Sequence, residues 1–439
     1  MGDREHRAES REQRDPVKGS LSKLLAPSSE LIGMKKPELL APAGSPEKLD
    51  YAIAYGADAV YLSGRQYGLR QAAQNFSLDE IDKAVKSTHE AQKKVYVAVN
   101  AFVRNADLDG ITAYLKQLRS LGVDAVIVSD PGVLNLVLQQ APELPLHLST
   151  QANTLNSKSI DFWVKAGVKR VTLARELSCD EMRVLAATAS CEVEVFVHGA
   201  MCIAYSGRCL LSKYLADRDA NSGDCAQACR WKYFLMEERR PGTFFPIEDD
   251  GSGAYIFNSR DLCLLEYLPK LVEFGVDSIK IEGRTKSLHY LAAVTKVYRE
   301  AIDTLFSRPS RFPELVNDWR SELEKVSHRP YSPGFFCGER SLQEVVSGSP
   351  ASSHLFVGVV DDREENDLYR IRVKNRLRVG EEIEILQPHR SSLKSRVREM
   401  MDCGTELQMR EAHANSEVRM SMEENIEKYS ILRRKIAVE

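Results

Sequence analysis

Past Pro37 the apolar residues cease to be scattered and gather into short dense runs, separated by stretches with helical spacing. One phrase recurs: a helix end, a glycine, two further residues and an apolar strand. It reads Tyr55-Gly56-Ala-Asp58-Ala-Val-Tyr-Leu, Leu121-Gly122-Val-Asp124-Ala-Val-Ile-Val, Ala166-Gly167-Val-Lys169-Arg-Val-Thr-Leu and Phe274-Gly275-Val-Asp277-Ser-Ile-Lys-Ile. Each copy is the helix-to-strand half of a βα unit, with glycine in the place it favours just past the last turn. The runs are apolar enough for strands covered on both faces. Further strand candidates at Glu38–Ala41, Lys94–Val99, Leu146–Ser149 and Glu192–His198 bring the set to eight. A helix start is written at Gly44-Ser45-Pro46-Glu47, with Ser45 as N-cap and Pro46 where its missing N–H is harmless. Eight strands alternating with helical patterns over roughly 250 residues predict an α/β fold, a (β/α)₈ TIM-like barrel. A doubly wound sheet would bring a glycine-rich nucleotide loop; neither a G-x-G-x-x-G nor a P-loop sequence occurs.

The barrel is expected over residues 34–305, with a cysteine-bearing insertion. Residues 1–33 are polar, charged and without apolar periodicity, the pattern of a disordered N-terminal extension. Residues 306–353 combine a helical stretch at Glu314–Val326 with a Pro/Gly-rich connection at Arg329–Gly334, and read as a linker. From His354 onward short alternating strands are expected at Leu355–Val360, Leu368–Val373, Glu381–Leu386, Val397–Met401, Leu407–Glu411 and Glu417–Met420. They predict a small antiparallel β-barrel domain over 354–439.

Composition adds exclusions. With 439 residues, 43% of them hydrophobic and 28% charged, the chain has the make-up of a globular protein. A net charge of -3 gives no global pull toward nucleic acid, so any RNA contact must be local. The basic run Arg390–Arg398 and the tail Arg433-Arg-Lys435 are the best such patches, although a solvated strand face is the default reading of both. No run approaches the length of a membrane span and the first residues lack a secretory pattern. Nine cysteines in that context imply reducing surroundings and a cytoplasmic location.

Four of those cysteines crowd into one segment with the spacing Cys202-x₆-Cys209-x₁₅-Cys225-x₃-Cys229. Four thiolates suit a [4Fe–4S] cluster or a structural zinc. Zinc usually takes tight Cys-x₂₋₄-Cys knuckles on both sides, and here the second pair alone qualifies. The first pair follows the seventh strand, at the mouth where barrel enzymes keep their chemistry. Cys179, Cys191, Cys263, Cys337 and Cys403 are scattered and read as filler; Cys263 is the plausible substitute ligand.

The stretch Glu194-Val-Phe-Val-His-Gly-Ala-Met-Cys-Ile-Ala-Tyr-Ser-Gly-Arg-Cys-Leu-Leu-Ser212 closely resembles the signature of the collagenase-like peptidase family of unknown catalytic type. Glu38–Gly44, Ser149–Asn153, Asn258–Leu262 and Ile279–Ser287 extend the resemblance. The pairing of Gly223-x-Cys-x-x-x-Cys-Arg-Trp231 with Val373-Lys-Asn-x-x-x-Val-Gly380 is most similar to the branch that hydroxylates transfer RNA. That resemblance implies conversion of a wobble uridine to 5-hydroxyuridine, a [4Fe–4S] cluster, prephenate as cosubstrate and the tRNA anticodon loop as partner.

Barrel logic places functional side chains just after strand ends. Gln151 and Asn153 follow the fifth strand and suit a base edge or a carboxylate, or simply hold a turn. His198 ends the seventh and is a candidate proton carrier, or a packed core histidine. Asn258 and Arg260 follow the cysteine insert; Glu282 and Arg284 follow the last strand. Arginine forks recognise carboxylate and phosphate, so Arg260 and Arg284 are the anion-binding candidates, and Glu282 is a candidate catalytic carboxylate or a rim ion pair. Two alternatives to the hydroxylase stand beside it. A peptidase finds little support, since His89-Glu90 is followed by Lys93 where a second histidine would sit and no Gly-x-Ser-x-Gly occurs. A non-catalytic iron–sulfur RNA-binding scaffold shares every cysteine with the enzyme.

Overall fold

The computed structural model describes residues 33–69, 73–202, 204–230, 260–337, 351–364, 368–422 and 425–436. The N-terminal extension apart from Gly33, Asn258 and Trp231 lie outside the described residues. Eight parallel strands close into a barrel: β1 (Glu38–Pro42), β2 (Ala59–Ser63), β3 (Lys94–Val99), β4 (Ala125–Val128), β5 (Leu146–Leu148), β6 (Arg170–Thr172), β7 (Glu192–Ala200) and β8 (Ser278–Ile281). Each pairs with the next, and β8 returns to β1 in the register Glu38↔Ser278. All eight expected strands are present.

The recurring phrase has a structural reason. Gly56, Gly122, Gly167 and Gly275 all sit at positive φ, between 74° and 97°, which L side chains rarely adopt. The aspartate two residues on has a separate task. Asp58 Oδ2 accepts the backbone N–H of Leu39 at 3.0 Å, Asp124 Oδ2 that of Val95 at 2.8 Å, and Asp277 Oδ2 that of Val193 at 2.9 Å. Each carboxylate thus ties the start of a neighbouring strand to its own. The fourth copy carries Lys169 at this position.

Helix starts follow the capping chemistry in the sequence. Ser45 Oγ accepts from the N–H of Lys48 ahead of helix Pro46–Ala54, and Ser77 and Ser178 form capping boxes with Glu80 and Glu181. The helices cover the outer face with apolar side chains, in one continuous core. The inner face differs from the expectation of uniformly apolar strands. Arg170 Nη1 lies 2.6 Å from Glu38 and 3.4 Å from Glu194, and Lys280 Nζ lies 2.8 Å from Glu194. Tyr96 donates to Glu38 at 2.8 Å and Thr172 to Glu194 at 2.8 Å, so the buried charges are paired and hydrogen-bonded.

Strand β7 runs beyond the barrel and pairs antiparallel with Asp261–Cys263, which in turn pairs with Tyr331–Ser332. Within the stretch expected as a linker, helix Phe312–Leu323 buries Phe312, Val316, Trp319 and Leu323 in the barrel's core, so it packs as part of the main body. C-terminal to it an eight-stranded antiparallel sheet forms a half-barrel over its own apolar core. The supposed basic tail is its strand Ile431–Lys435, at the heart of that sheet. Arg433 is wholly buried there and pairs with Glu322 and Glu384, so it is no RNA patch; Arg390, Lys394, Arg396 and Arg398 do lie exposed. Tyr55 donates to the carbonyls of Leu386 and Tyr429, fastening the sheet to the barrel. Among the described residues no helix is long and apolar enough to cross a membrane.

Candidate active site

The C-terminal mouth of the barrel holds two adjoining cavities. The first lies on the barrel axis and is lined by Asn100 after β3, Ser149 and Gln151 after β5, Arg175 after β6, Phe196 and Lys280 within β7 and β8, and Glu282 and Arg284 after β8. The second lies toward the cysteine insertion and is lined by Met201, Cys202, Gly223, Cys225, Gln227, Cys229, Glu282, Thr285 and Lys286. Glu282 stands in the wall of both.

The mouth cavity is cationic. Arg284 is buried, donates to the carbonyl of Leu69 and faces the ring of Tyr61 at 5.9 Å. Arg175 donates to the carbonyl of Ala200 at 3.1 Å with its guanidinium 5.0 Å from the ring centre of Phe196. Lys280 forms the floor, over Tyr61 at 4.5 Å and paired beneath with Glu194. Gln151 accepts at Oε1 from Asn100 at 2.8 Å, while its Nε2 is buried with no hydrogen-bond partner among the described residues. Lining the cavity with one donor unspent, it can meet a ligand's carbonyl or carboxylate oxygen.

Other candidates from the sequence are placed elsewhere. Asn153 sits at positive φ (54°) as the cap of the turn Thr150–Ala152 and lines neither cavity. Arg260 lines a separate cleft with Cys263, Glu266, Arg320 and Tyr331, so the two arginines proposed as anion ligands do not meet. His198 is fully buried among the rings of Tyr290, Tyr298 and Tyr331, at 5.1 to 5.9 Å. Burial, with Lys286 and His328 nearby, pushes its pKa down to about 3, which keeps the ring neutral. So caged it packs the core, and it offers Cys202 no partner for a thiol protease. Asn100 and Arg175 were missed from the sequence. Arg175 stands three residues past β6, a place that barrel logic marks as functional.

Cys202, Cys225 and Cys229 line one cavity, brought there by the end of β7 and by the loop that follows helix Leu211–Ala216. Cys209 does not line it; its backbone exchanges hydrogen bonds with the Asn221 side chain at 3.1 and 2.8 Å. Among the described residues no three His, Cys, Asp or Glu side chains are close enough to hold one metal ion. A single zinc would need thiolates drawn to about 2.3 Å from one centre. A cluster places its own iron and sulfide between the thiolates and takes a wider ring. Three soft donors thus line one cavity, a donor set that an iron–sulfur cluster or a zinc ion takes, with Cys209 the candidate fourth. Cys263 lies in the separate cleft, where burial raises its thiol pKa to about 11.

Comparison with known proteins places these features in a family. The model for peptidase family U32 matches residues 44–345 and the model for its C-terminal domain matches residues 352–433. Relatives include tRNA hydroxylation protein P1 of Bacillus subtilis (strain 168), 41% identical over 357 residues that cover 81% of this chain and 84% of that protein. The tRNA hydroxylation protein P of Escherichia coli (strain K12) is 38% identical over 398 residues, covering 81% of this chain and 87% of that protein. A 23S rRNA 5-hydroxycytidine synthase of the same organism is 34% identical over 329 residues, covering 74% of this chain and 48% of that longer protein.

Proposed function

The chain belongs to peptidase family U32, and on that premise we propose that it hydroxylates a wobble uridine of tRNA to 5-hydroxyuridine, with prephenate as cosubstrate and a [4Fe–4S] cluster as cofactor. One observation carries the reading: a thiol-lined cavity and a cationic mouth cavity share Glu282 as a common wall. The names of the relatives, two for tRNA hydroxylation and one for hydroxylation of an rRNA pyrimidine, support the reaction class.

Cys202, Cys225 and Cys229, with Cys209, are the residues that would hold the cluster, which when bound supplies electron transfer that side chains alone do not provide. Arg175 and Arg284 offer guanidinium forks to the two carboxylates of prephenate. Lys280 keeps the floor positive, and its pairing with Glu194 fixes the ammonium in place. Gln151 Nε2 can donate to a uracil carbonyl, which makes it the candidate reader of the base edge. A carboxylate facing both cavities can take or return a proton on either side, the role assigned to Glu282. An anticodon base is within reach of such a site because loop bases can be splayed out and read singly.

Anaerobic purification with iron and sulfide quantification, beside mass spectrometry of tRNA nucleosides from a strain lacking this gene and its paralogues, tests the reading. The expected result is a brown protein and loss of 5-hydroxyuridine, restored by the wild-type gene. Normal levels of 5-hydroxyuridine in the deletion strain would overturn it.

A further inference from the structure

Two exposed side chains on the rim of the mouth cavity have no part in the chemistry assigned so far. Phe102 lies three residues past β3 and is 37% exposed, although its backbone is fixed by an N–H donated to the Asn221 carbonyl at 2.8 Å. Arg208, exposed on the cysteine loop, sets its guanidinium 5.7 Å from the centre of that ring. The same guanidinium donates through Nε to the Gln151 carbonyl at 2.8 Å, so it is anchored to a residue of the mouth cavity. Tyr205 and Leu210, 50% and 76% exposed, flank Arg208 on its loop. Here the Phe102 backbone is bonded to the insertion and the Arg208 guanidinium to the Gln151 carbonyl, and both side chains stay open to solvent.

We propose that Phe102 and Arg208 form a stacking platform for an unpaired RNA base beside the one that enters the mouth cavity. The inference rests on the hydroxylase reading in taking RNA as the ligand, and adds where the strand is gripped. Splayed bases stack on aromatic rings and on guanidinium planes, and cationic charge beside the platform meets the phosphates. Arg104, exposed two residues beyond Phe102, adds to that charge.

The test uses the full-length iron-loaded protein and a hairpin RNA of an anticodon stem and loop. An adenine analogue whose emission is quenched by stacking is placed at each loop position in turn. Phe102→Leu and Arg208→Lys should each weaken hairpin binding by about 5- to 150-fold, the value of one base–aromatic stack. Both should abolish quenching at one loop position and raise the KM for tRNA, while iron content and melting temperature stay at wild-type values. Arg208→Lys keeps the charge and loses the plane, so it separates stacking from simple attraction. Wild-type affinity and quenching in both variants would overturn the platform alone. A wild-type protein that binds no hairpin would remove the RNA reading and the platform with it, and equal binding of a loopless duplex would show that unpaired bases are not what is gripped.

Discussion

Replacing Glu194 by glutamine tests the charged interior of the barrel. Its carboxylate is 1% exposed, lies 2.8 Å from Lys280 and 3.4 Å from Arg170, and accepts from Thr172. Burial alone would raise its pKa; Lys280 and Arg170 outweigh burial and hold it near 2 against an ordinary 4.5. At 1.36 kcal/mol per pKa unit that difference is worth about 3 kcal/mol, an order-of-magnitude figure. Removing one member of a buried pair costs about 3–5 kcal/mol by an independent route. Arg170 keeps Glu38 and Glu192, whereas Lys280 is left against ring faces. Glu194→Gln should therefore lower the urea midpoint at pH 7 by an amount equal to about 3–5 kcal/mol with an unchanged slope, read from Trp163 and Trp319 fluorescence. The folded pKa lies below the unfolded one. The contribution is thus full above about pH 4.5 and fades as pH falls toward 2, so the gap between wild type and variant should narrow there. A gap under about 1 kcal/mol at pH 7, or one that widens on acidification, would refute the assignment. The double variant Glu194→Gln with Lys280→Met should recover much of the stability, because a buried pair replaced together is often neutral. It should not recover activity, since the floor of the mouth cavity would have lost its cation.

Other substitutions separate roles. Cys225→Ala should lose both iron and tRNA modification while Cys403→Ala, in a turn of the C-terminal sheet, should lose neither; an equal loss in both contradicts the ligand assignment. Arg175→Gln should raise the KM for prephenate by about 100-fold with a smaller change in kcat, the loss expected for one charge-assisted contact, and an unchanged KM removes Arg175 from the anion site. Arg433→Met leaves the half-buried Glu322 and Glu384 with Lys325 as their remaining shared cation and should cost about 1.5–3 kcal/mol, the worth of hydrogen bonds to charged groups. It is expected to show as a lower melting temperature and faster proteolysis of the C-terminal half-barrel, and wild-type resistance would show that Arg433 does not hold that sheet.

The barrel was legible because its punctuation is local. A glycine at positive φ sits three residues before four of the eight strands, and in three of those copies an aspartate ties two strand starts, so a short window contains the instruction. The charged interior was not legible for the opposite reason. Glu38, Arg170, Glu194 and Lys280 come from four separate strands and meet only on closure. A period-two trace was nonetheless present in β7, where Glu192, Glu194 and His198 alternate with valines. The last strand of the C-terminal sheet was misread because three adjacent basic residues look solvent-directed until Glu322 and Glu384, far away in sequence, supply the partners for Arg433. At the site, Glu282 and Arg284, marked by their position after a strand, line the mouth cavity, whereas Arg260, chosen as an arginine fork in the segment after the cysteine insert, lines another cleft.

The two halves of the site differ in what holds them. Strands β7 and β8 are paired from Glu194↔Ser278 to His198↔Ile281, and the Glu282 N–H continues the ladder to the His198 carbonyl at 2.8 Å. Gly199 makes this close approach possible: at φ 111° a side-chain carbon there would stand 2.4 Å from the Glu282 carbonyl oxygen. Cys202, three residues on, is therefore set beside Glu282 by sheet register, the most rigid device in the fold. Cys225 and Cys229 arrive through the insertion, whose described residues are joined by the hydrogen bonds of short turns, and Cys209 stands off the cavity. The carboxylate and the first thiol thus follow directly from paired strands, while Cys225 and Cys229 are carried by the loops of the insertion.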